Sequence, residues 1–156
     1  MEFEQLVIEF CAAVEAGDGA RLGALFTPEG IYHDTFYGEV NGRAAIASML
    51  EEQFYGHAER FLWEPRDMVC QGRLGYARWL FSYSSTLPES AGRRVAAEGM
   101  SCFELEGGVI SRYSECFDAG KALVQLGFAP ARLEKLLRRW AEQKKREPAM
   151  ARHLAG

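Results

Sequence analysis

Four long stretches rich in β-branched and aromatic residues follow one another in the chain, and they restrict its fold more than any other feature. They cover residues 60–71, 74–87, 93–106 and 109–118. Glycine and proline mark the breaks between them, and Glu106-Gly107-Gly108-Val109 is typical of a tight hairpin. Consecutive strands with such short connections pair side by side in opposite directions. The sequence therefore predicts an antiparallel sheet.

The part of the chain before these strands has a helical pattern. Apolar residues recur at helical spacing over residues 2–16, Gly17 ends this helix, and Asp18 is suited to cap a second, short one. Residues 27–30 (Thr-Pro-Glu-Gly) predict a turn, and residues 31–36 a short extended run.

Three more helices are predicted. One starts at Asn41 or Gly42 and places its apolar residues on one face, and a short one ends at Gly127. Pro130 opens the last helix, about residues 130–147, which should pack four apolar residues against the domain: Leu133, Leu136, Leu137 and Trp140. Helices followed by long antiparallel strands give an α+β fold, which we expect to be a cone-shaped, curved sheet wrapped over the N-terminal helices.

Composition excludes several classes of protein. The 156 residues suit one domain, and the net charge of −4 argues against nucleic-acid binding by the whole chain. Basic residues are concentrated in residues 132–152, and this segment is either the solvated face of a helix or a surface for nucleic acid or anionic membrane. We expect the solvated face. No apolar run approaches the ~20 residues of a membrane span.

Cysteine usage and the N-terminus indicate a cytoplasmic protein. Cys11, Cys70, Cys102 and Cys116 form no CxxC pair, and the chain begins with acidic rather than basic residues, unlike a signal peptide. The three histidines lack the short spacing of metal ligands, and no serine lies in a nucleophile-elbow pattern. We therefore expect neither a metal nor a cofactor.

The candidate chemistry lies in Tyr32, Asp34, Arg78 and Glu115. Tyr32 and Asp34 share one face of their extended run because side chains alternate along a strand. Arg78 and Glu115 interrupt strands that are otherwise largely apolar. Burial raises the pKa of a carboxyl group and a nearby guanidinium lowers it, so two acids near one arginine can serve as acid and base. Alternatively, Arg78 and Glu115 form an ion pair on the solvent side, and Asp34 only caps a turn.

The order of these elements resembles the nuclear transport factor 2-like superfamily and, within it, the SnoaL-like group. The residues that carry the resemblance are Gly17-Asp18, Tyr32-His33-Asp34, residues 41–46 (Asn-Gly-Arg-Ala-Ala-Ile), Gly108-Val109-Ile110 and Glu115-Cys116-Phe117-Asp118. The resemblance covers about residues 3–127. It implies a SnoaL-like domain over residues 1–128, with residues 129–156 as a helical extension packed on the same domain.

The resemblance also implies roles for individual residues. Asp34 stands where ketosteroid isomerase has its proton-shuttling aspartate, whereas Phe10 and Gly99 stand where that enzyme has hydrogen-bond donors. Arg78, Glu115, Tyr32 and Asp34 match catalytic positions of limonene epoxide hydrolase, whose second acid falls at Leu80. Polyketide cyclases and dehydratases of the same group are equally compatible. The expected substrate-binding residues are Phe10, Met49, Trp63, Tyr76, Leu80, Gly99, Tyr113 and Phe117.

Three functions remain open. The chain is expected to be an acid-base enzyme on a small, mostly apolar cyclic metabolite, and the alternatives are a non-catalytic binder of such a molecule and a protein-interaction module. Asp34 is the expected general base, Tyr32 the orienting group, Glu115 the acid or the anchor of Arg78, and Arg78 the cation that stabilises negative charge. A homodimer is expected through the outer face of the sheet, with Trp79, Phe81 and Tyr83 at the interface.

Overall fold

Two helices open the chain in the computed structural model, which describes residues 1–156. Helix α1 (Phe3–Ala16) ends at Gly17, whose φ of 66° is a left-handed conformation that glycine adopts without strain. Helix α2 (Gly19–Ala24) begins after Asp18, whose side chain accepts a hydrogen bond from the backbone N–H of Arg21. Both helices and both capping residues agree with the sequence-based predictions.

One six-stranded sheet follows. Its strands are β1 (Phe26–Asp34), β2 (Gly38–Asn41), β3 (Ala58–Gln71), β4 (Leu74–Ser85), β5 (Arg94–Glu106) and β6 (Val109–Phe117). Their order in the sheet is β2-β1-β6-β5-β4-β3. The predicted α+β fold, the four long strands and the hairpin at Gly107-Gly108 are confirmed.

The start of the sheet differs from the prediction in three ways. Residues 27–30 belong to β1 instead of forming a turn, although the pairing of β1 with β6 is irregular between Phe26 and Ile31. Strand β2 was not predicted. The pair β1–β6 is parallel, whereas all other pairs are antiparallel. This parallel pair places Tyr32 opposite Tyr113, which no local pattern in the sequence could indicate.

The remaining helices lie between β2 and β3 and after β6. Helix α3 (Arg43–Ser48) continues into a π-helical segment (Met49–Phe54) and the single turn α4 (Tyr55–His57). After the sheet come α5 (Ala119–Gln125), α6 (Pro130–Lys145) and α7 (Ala151–Leu154), and residues 88–90 and 148–150 form short 3-10 turns. No helix is both long and apolar enough to cross a bilayer.

The main core lies between α1 and the inner face of the sheet. Leu6, Phe10 and Val14 from α1 are buried against aromatic residues of the strands, and Phe10 stacks on both Tyr32 and Tyr113. A smaller cluster of Val95, Ala122, Leu123 and Leu126 lies beside it. Three of the four predicted residues of α6 pack on this second cluster, namely Leu133, Leu136 and Trp140, whereas Leu137 is 40% exposed.

Basic residues of α6 form ion pairs within the helix on its exposed side. Arg138 pairs with Glu134, and Lys145 pairs with Glu142. Pairs of this kind, three or four residues apart on an exposed face, stabilise the helix itself.

Candidate active site

A cavity of about 250 Å³ opens between the inner face of the sheet, the π-helical segment and α5. Most of its wall is aromatic, with side chains from β1, β3, β4 and β6 and from the helices and loops that cover the sheet. The aromatic lining residues are Tyr32, Phe36, Tyr37, Phe54, Phe61, Trp63, Trp79, Phe81, Tyr83, Phe117 and Phe128. Among this apolar surface lie two carboxyl groups, those of Asp34 and Glu115.

Asp34 ends strand β1 and is only 4% exposed. Its Oδ1 accepts hydrogen bonds from the backbone N–H groups of Phe36, at 2.7 Å, and Tyr37, at 2.8 Å. Asp34 therefore caps the turn after β1 and also lines the cavity. Both roles that the sequence suggested for it, a turn cap and a cavity residue, apply. Burial raises the pKa of Asp34, while the two backbone N–H groups act in the opposite direction.

Glu115 faces the same cavity from strand β6. Its Oε1 accepts from the backbone N–H of Thr35 at 3.3 Å, and its Oε2 accepts from the hydroxyl of Tyr113 at 3.0 Å. Burial, followed by the negative charge of Asp34, raises the pKa of Glu115 to about 8. Glu115 therefore carries a proton at neutral pH and can act as an acid.

The two carboxyl groups differ because their surroundings differ. Asp34 receives two short backbone hydrogen bonds that stabilise its charged form, and its charge then opposes ionisation of Glu115. A carboxylate and a carboxylic acid in one cavity can take a proton from one atom and give a proton to another.

Tyr32 lies on the cavity wall beside both carboxyl groups. Burial and the charges of Glu115 and Asp34 raise the pKa of Tyr32 well above its ordinary value, so its hydroxyl stays protonated. This hydroxyl has no hydrogen-bond partner within the protein, and neither does the indole Nε1 of Trp63. Buried donors without partners are uncommon, and both residues line the cavity, so both are candidates to bind an acceptor atom of a ligand.

The structure adds two residues that sequence reasoning missed. The hydroxyl of Tyr37 lies 2.8 Å from Nδ1 of His57, and both side chains line the cavity. The spacing of the histidines in the sequence was considered only for a metal site, and no local motif pointed to Tyr37. Their approach depends on the turn after β1 meeting the end of the π-helical segment, which is a tertiary contact.

Arg78 does not belong to the site, so its prediction as a catalytic residue is wrong. Its side chain is 64% exposed and pairs with Asp67 at 3.0 Å on the opposite side of the sheet. The alternative ion pair between Arg78 and Glu115 is absent as well. The inward face of β4 is instead the one with Trp79, Phe81 and Tyr83, which therefore cannot form an outer-face dimer interface.

The expected substrate-binding residues fall into three groups. Trp63 and Phe117 line the cavity. Phe10, Met49 and Tyr113 are buried in the core next to it, and Gly99 leaves room for the Trp79 ring, because a Cβ there would lie 2.6 Å from that ring. Tyr76 and Leu80 lie on the same face of β4 as Arg78, which is turned away from the cavity. Tyr76 is 41% exposed, and Leu80 lines a second, open groove. For these last two residues the prediction is wrong for the same reason as for Arg78.

No three histidine, cysteine, aspartate or glutamate side chains come together as a set that could hold a metal ion. Of the four cysteines, none forms a disulfide bond.

Comparison with known proteins gives a family and a set of structural neighbours. A family model described as a SnoaL-like domain matches residues 7–113. No curated protein matches the chain with significant similarity. Among solved structures, TsrD from Streptomyces laurentii is similar with 25% identity and a TM-score of 0.68, over 80% of this chain and 93% of TsrD.

Two further neighbours show the same fold at lower identity. A protein from Catenulispora acidiphila with a ketosteroid isomerase-like fold is 18% identical with a TM-score of 0.73, over 82% of this chain and 96% of its own. An LEH-like epoxide hydrolase from M. tuberculosis is 18% identical with a TM-score of 0.64, over 78% of this chain and 82% of its own. These matches confirm the predicted nuclear transport factor 2-like fold and the SnoaL-like resemblance.

Proposed function

Because this chain belongs to the SnoaL-like family, we propose that it is a cofactor-independent acid-base enzyme acting on a small, mostly apolar cyclic molecule. The observation that carries the proposal is the pair of carboxyl groups in one aromatic cavity, Asp34 and Glu115, with the pKa of Glu115 raised to about 8. Perturbed carboxyl groups in a cleft are a feature of catalytic sites.

The cavity wall restricts the substrate. It contains neither lysine nor arginine, so no lining cation would favour an anionic substrate. Its volume of about 250 Å³ lies just below the ~300–1,000 Å³ common for drug-sized ligands, and its aromatic side chains suit a flat or cyclic molecule. The free donors Tyr32 Oη and Trp63 Nε1 would bind a carbonyl, ether or hydroxyl oxygen on that molecule.

In the proposed reaction Asp34 is the general base and Glu115 the general acid. Asp34 takes a proton from a carbon atom or from a water molecule, and Glu115 gives its proton to an oxygen of the substrate, so that one proton leaves and one arrives. Tyr32 orients the substrate by donating a hydrogen bond. Because Arg78 lies outside the cavity, the epoxide-hydrolase pattern of an arginine between two acids is not reproduced. Proton transfer at carbon, as in dehydration or cyclisation, is therefore favoured over hydrolysis. Isomerisation of the ketosteroid type is not favoured either, because Phe10 and Gly99 replace the hydrogen-bond donors of ketosteroid isomerase.

A direct experiment is to incubate the protein in D2O with a panel of cyclic ketones, polyketides and epoxides, and to follow deuterium incorporation and product formation by mass spectrometry. Wild-type protein should exchange or convert at least one class. Asp34→Asn should lose about 10²–10⁴ in rate while it keeps the turn, since asparagine also offers an acceptor oxygen. Full activity of Asp34→Asn would refute the assignment.

The second candidate, a non-catalytic binder, is favoured by the hydrogen bonds that hold Asp34 Oδ1 within the turn. It predicts saturable binding of the same compounds, for example by tryptophan fluorescence of Trp63 and Trp79, without any exchange. Asp34→Asn would then change the affinity for these compounds only slightly.

We also propose that the protein is a cytoplasmic homodimer. Four cysteines without a disulfide bond are compatible with a reducing compartment. Exposed apolar residues on the outer face of the sheet, including Leu62, Tyr76 and Met100, suit a subunit interface. Light scattering should give twice the monomer mass, and Met100→Lys should reduce it; a monomeric wild-type protein at micromolar concentration would exclude the dimer.

A further inference from the structure

A buried row of hydrogen bonds connects the cavity wall to Glu115. The indole Nε1 of Trp79 is 2.8 Å from Ser101 Oγ, Ser101 Oγ is 2.8 Å from Tyr113 Oη, and Tyr113 Oη is 3.0 Å from Glu115 Oε2. Trp79 is 4% exposed, Ser101 is 1% exposed and Tyr113 is fully buried. Solvent is therefore excluded from the two bonds that join Trp79, Ser101 and Tyr113.

The direction of every bond in this row follows from its first member. An indole N–H only donates, so Ser101 Oγ accepts from Trp79. The hydroxyl proton of Ser101 then has one recorded acceptor, Tyr113 Oη. With that bond formed, Tyr113 directs its own proton to Glu115 Oε2. The reverse arrangement, in which Tyr113 donates to Ser101, would leave the buried hydroxyl proton of Ser101 without an acceptor, which is costly.

We propose that Ser101 is a positioning residue for Glu115, an inference that rests on the proposed function. Through Tyr113, Ser101 fixes Oε2 of Glu115 as a hydrogen-bond acceptor. The proton to be transferred therefore resides on Oε1. The longer bond at Oε1, 3.3 Å from the backbone N–H of Thr35, is compatible with this placement. Ser101 does not line the cavity, and although it lies opposite Glu115 in the β5–β6 pair, its hydroxyl is bonded to Tyr113 and not to Glu115. The hydroxyl of Ser101 therefore acts on the carboxyl group through Tyr113.

The row of hydrogen bonds also connects the substrate-binding wall of the cavity to Glu115, because Trp79 lines the cavity and is the first donor of the row. The titratable groups around Glu115 are Asp34 and Tyr32 from β1 and Tyr113 from its own strand. Tyr37, His57 and Tyr83 line the same cavity. Tyr113 is the one among them that donates a side-chain hydrogen bond to Glu115, and this bond lowers the pKa of the carboxyl group.

The experiment measures the titration of Glu115 by carbon NMR, with its resonance identified through Glu115→Gln. Tyr113→Phe should raise the pKa of Glu115 by about one pH unit, since it removes the donor. Ser101→Ala should raise it by less, since Tyr113 keeps its bond but loses the donor that polarises it. In a Tyr113→Phe background, Ser101→Ala should add nothing, because the two residues act in series.

The indole N–H resonance of Trp79 gives a second readout that needs no substrate. It should move upfield in Ser101→Ala and keep its position in Ser101→Thr, which retains the hydroxyl. Ser90→Ala is the matched control, because Ser90 is a similarly buried serine whose hydroxyl bonds to Ser85 and to none of Trp79, Tyr113 and Glu115. It should change neither resonance.

An unchanged Glu115 titration in folded Ser101→Ala would overturn the proposal. If that variant does not fold, Trp79→Phe tests the same row, because it removes the donor that sets the direction; an unchanged titration there would also overturn it. Both readouts are independent of turnover. A shift of Glu115 in a protein without activity would therefore refute the proposed enzyme while supporting the role of Ser101.

Discussion

Asp34 and Glu115 share one turn of the backbone: Glu115 accepts from the N–H of residue 35, and Asp34 accepts from the N–H groups of residues 36 and 37. Three consecutive donors are thus divided between two carboxyl groups from neighbouring strands. The turn holds both side chains at the cavity. Because it gives two N–H groups to Asp34 and one to Glu115, it favours charge on Asp34 and a proton on Glu115.

Replacing Asp34 by asparagine should lower the pKa of Glu115 from about 8, because the neighbouring negative charge disappears while burial remains. The shift should be visible by NMR titration of Glu115. Glu115→Gln is the companion variant, and it should leave the pKa of Asp34 raised, because burial is the main cause of that shift. A Glu115 titration that does not respond to Asp34→Asn would show that the two groups do not interact.

Stability should fall as the pH rises from about 4.5 to about 8. The pKa of Glu115 is about 8 in the folded protein and close to its ordinary 4.5 in the unfolded chain. The folded state therefore binds this proton more tightly, and the resulting stabilisation is complete below about 4.5 and lost through about 8.

Urea denaturation at several pH values measures this effect, and Glu115→Gln should reduce the slope of stability against pH. Identical slopes for wild-type protein and Glu115→Gln would contradict the raised pKa.

Arg78→Ala should leave both catalysis and fold almost unaffected. Its ion pair with Asp67 is 64% exposed on both sides, and exposed pairs contribute about 0–1 kcal/mol. Steady-state kinetics and urea denaturation test this expectation. A rate loss of about 10²-fold, the lower end for an acid-base group, would show that Arg78 takes part in catalysis.

Gly99→Ala should destabilise the protein by about 1–3 kcal/mol, because its Cβ would overpack the site. The new atom would lie 2.6 Å from the Trp79 ring and 2.7 Å from the carbonyl oxygen of Cys116. Gly56→Ala is the control, since a Cβ there meets no atom within 4 Å and Gly56 lacks a positive φ. Equal stability of the two variants would mean that Trp79 moves aside without cost.

Trp140→Ala should weaken substrate binding more than it slows the chemical step. The Trp140 ring lies 5.9 Å from Phe36, which lines the cavity and contacts Phe117. Its loss should raise KM with little change in kcat and cost about 1–3 kcal/mol of stability. Leu137→Ala, in the same helix but 40% exposed, should change KM little. A fall in kcat at constant KM would argue against a role of α6 at the cavity.

Local patterns in the sequence determined the type and order of most elements. Gly17, Asp18 and the Gly107-Gly108 hairpin act through their own backbone and nearest neighbours, so their effects could be predicted without a partner. The same holds for the alternation that placed Tyr32 with Asp34. Both carboxyl residues of the candidate site were predicted from the sequence, and the family was predicted from the resemblance.

The tertiary structure decided which face of the sheet turns inward. Alternation divides β4 into one face with Arg78 and another with Trp79, but it does not say which face covers the helices, since both carry large side chains. Packing of α1 on the sheet settles this choice, and it removes Arg78, Tyr76 and Leu80 from the site together. Only the folded chain brings together residues that are distant in sequence or whose contact depends on the strand register. Examples are the parallel pairing of β1 with β6, the approach of Tyr37 to His57 and the hydrogen bond from Trp79 to Ser101.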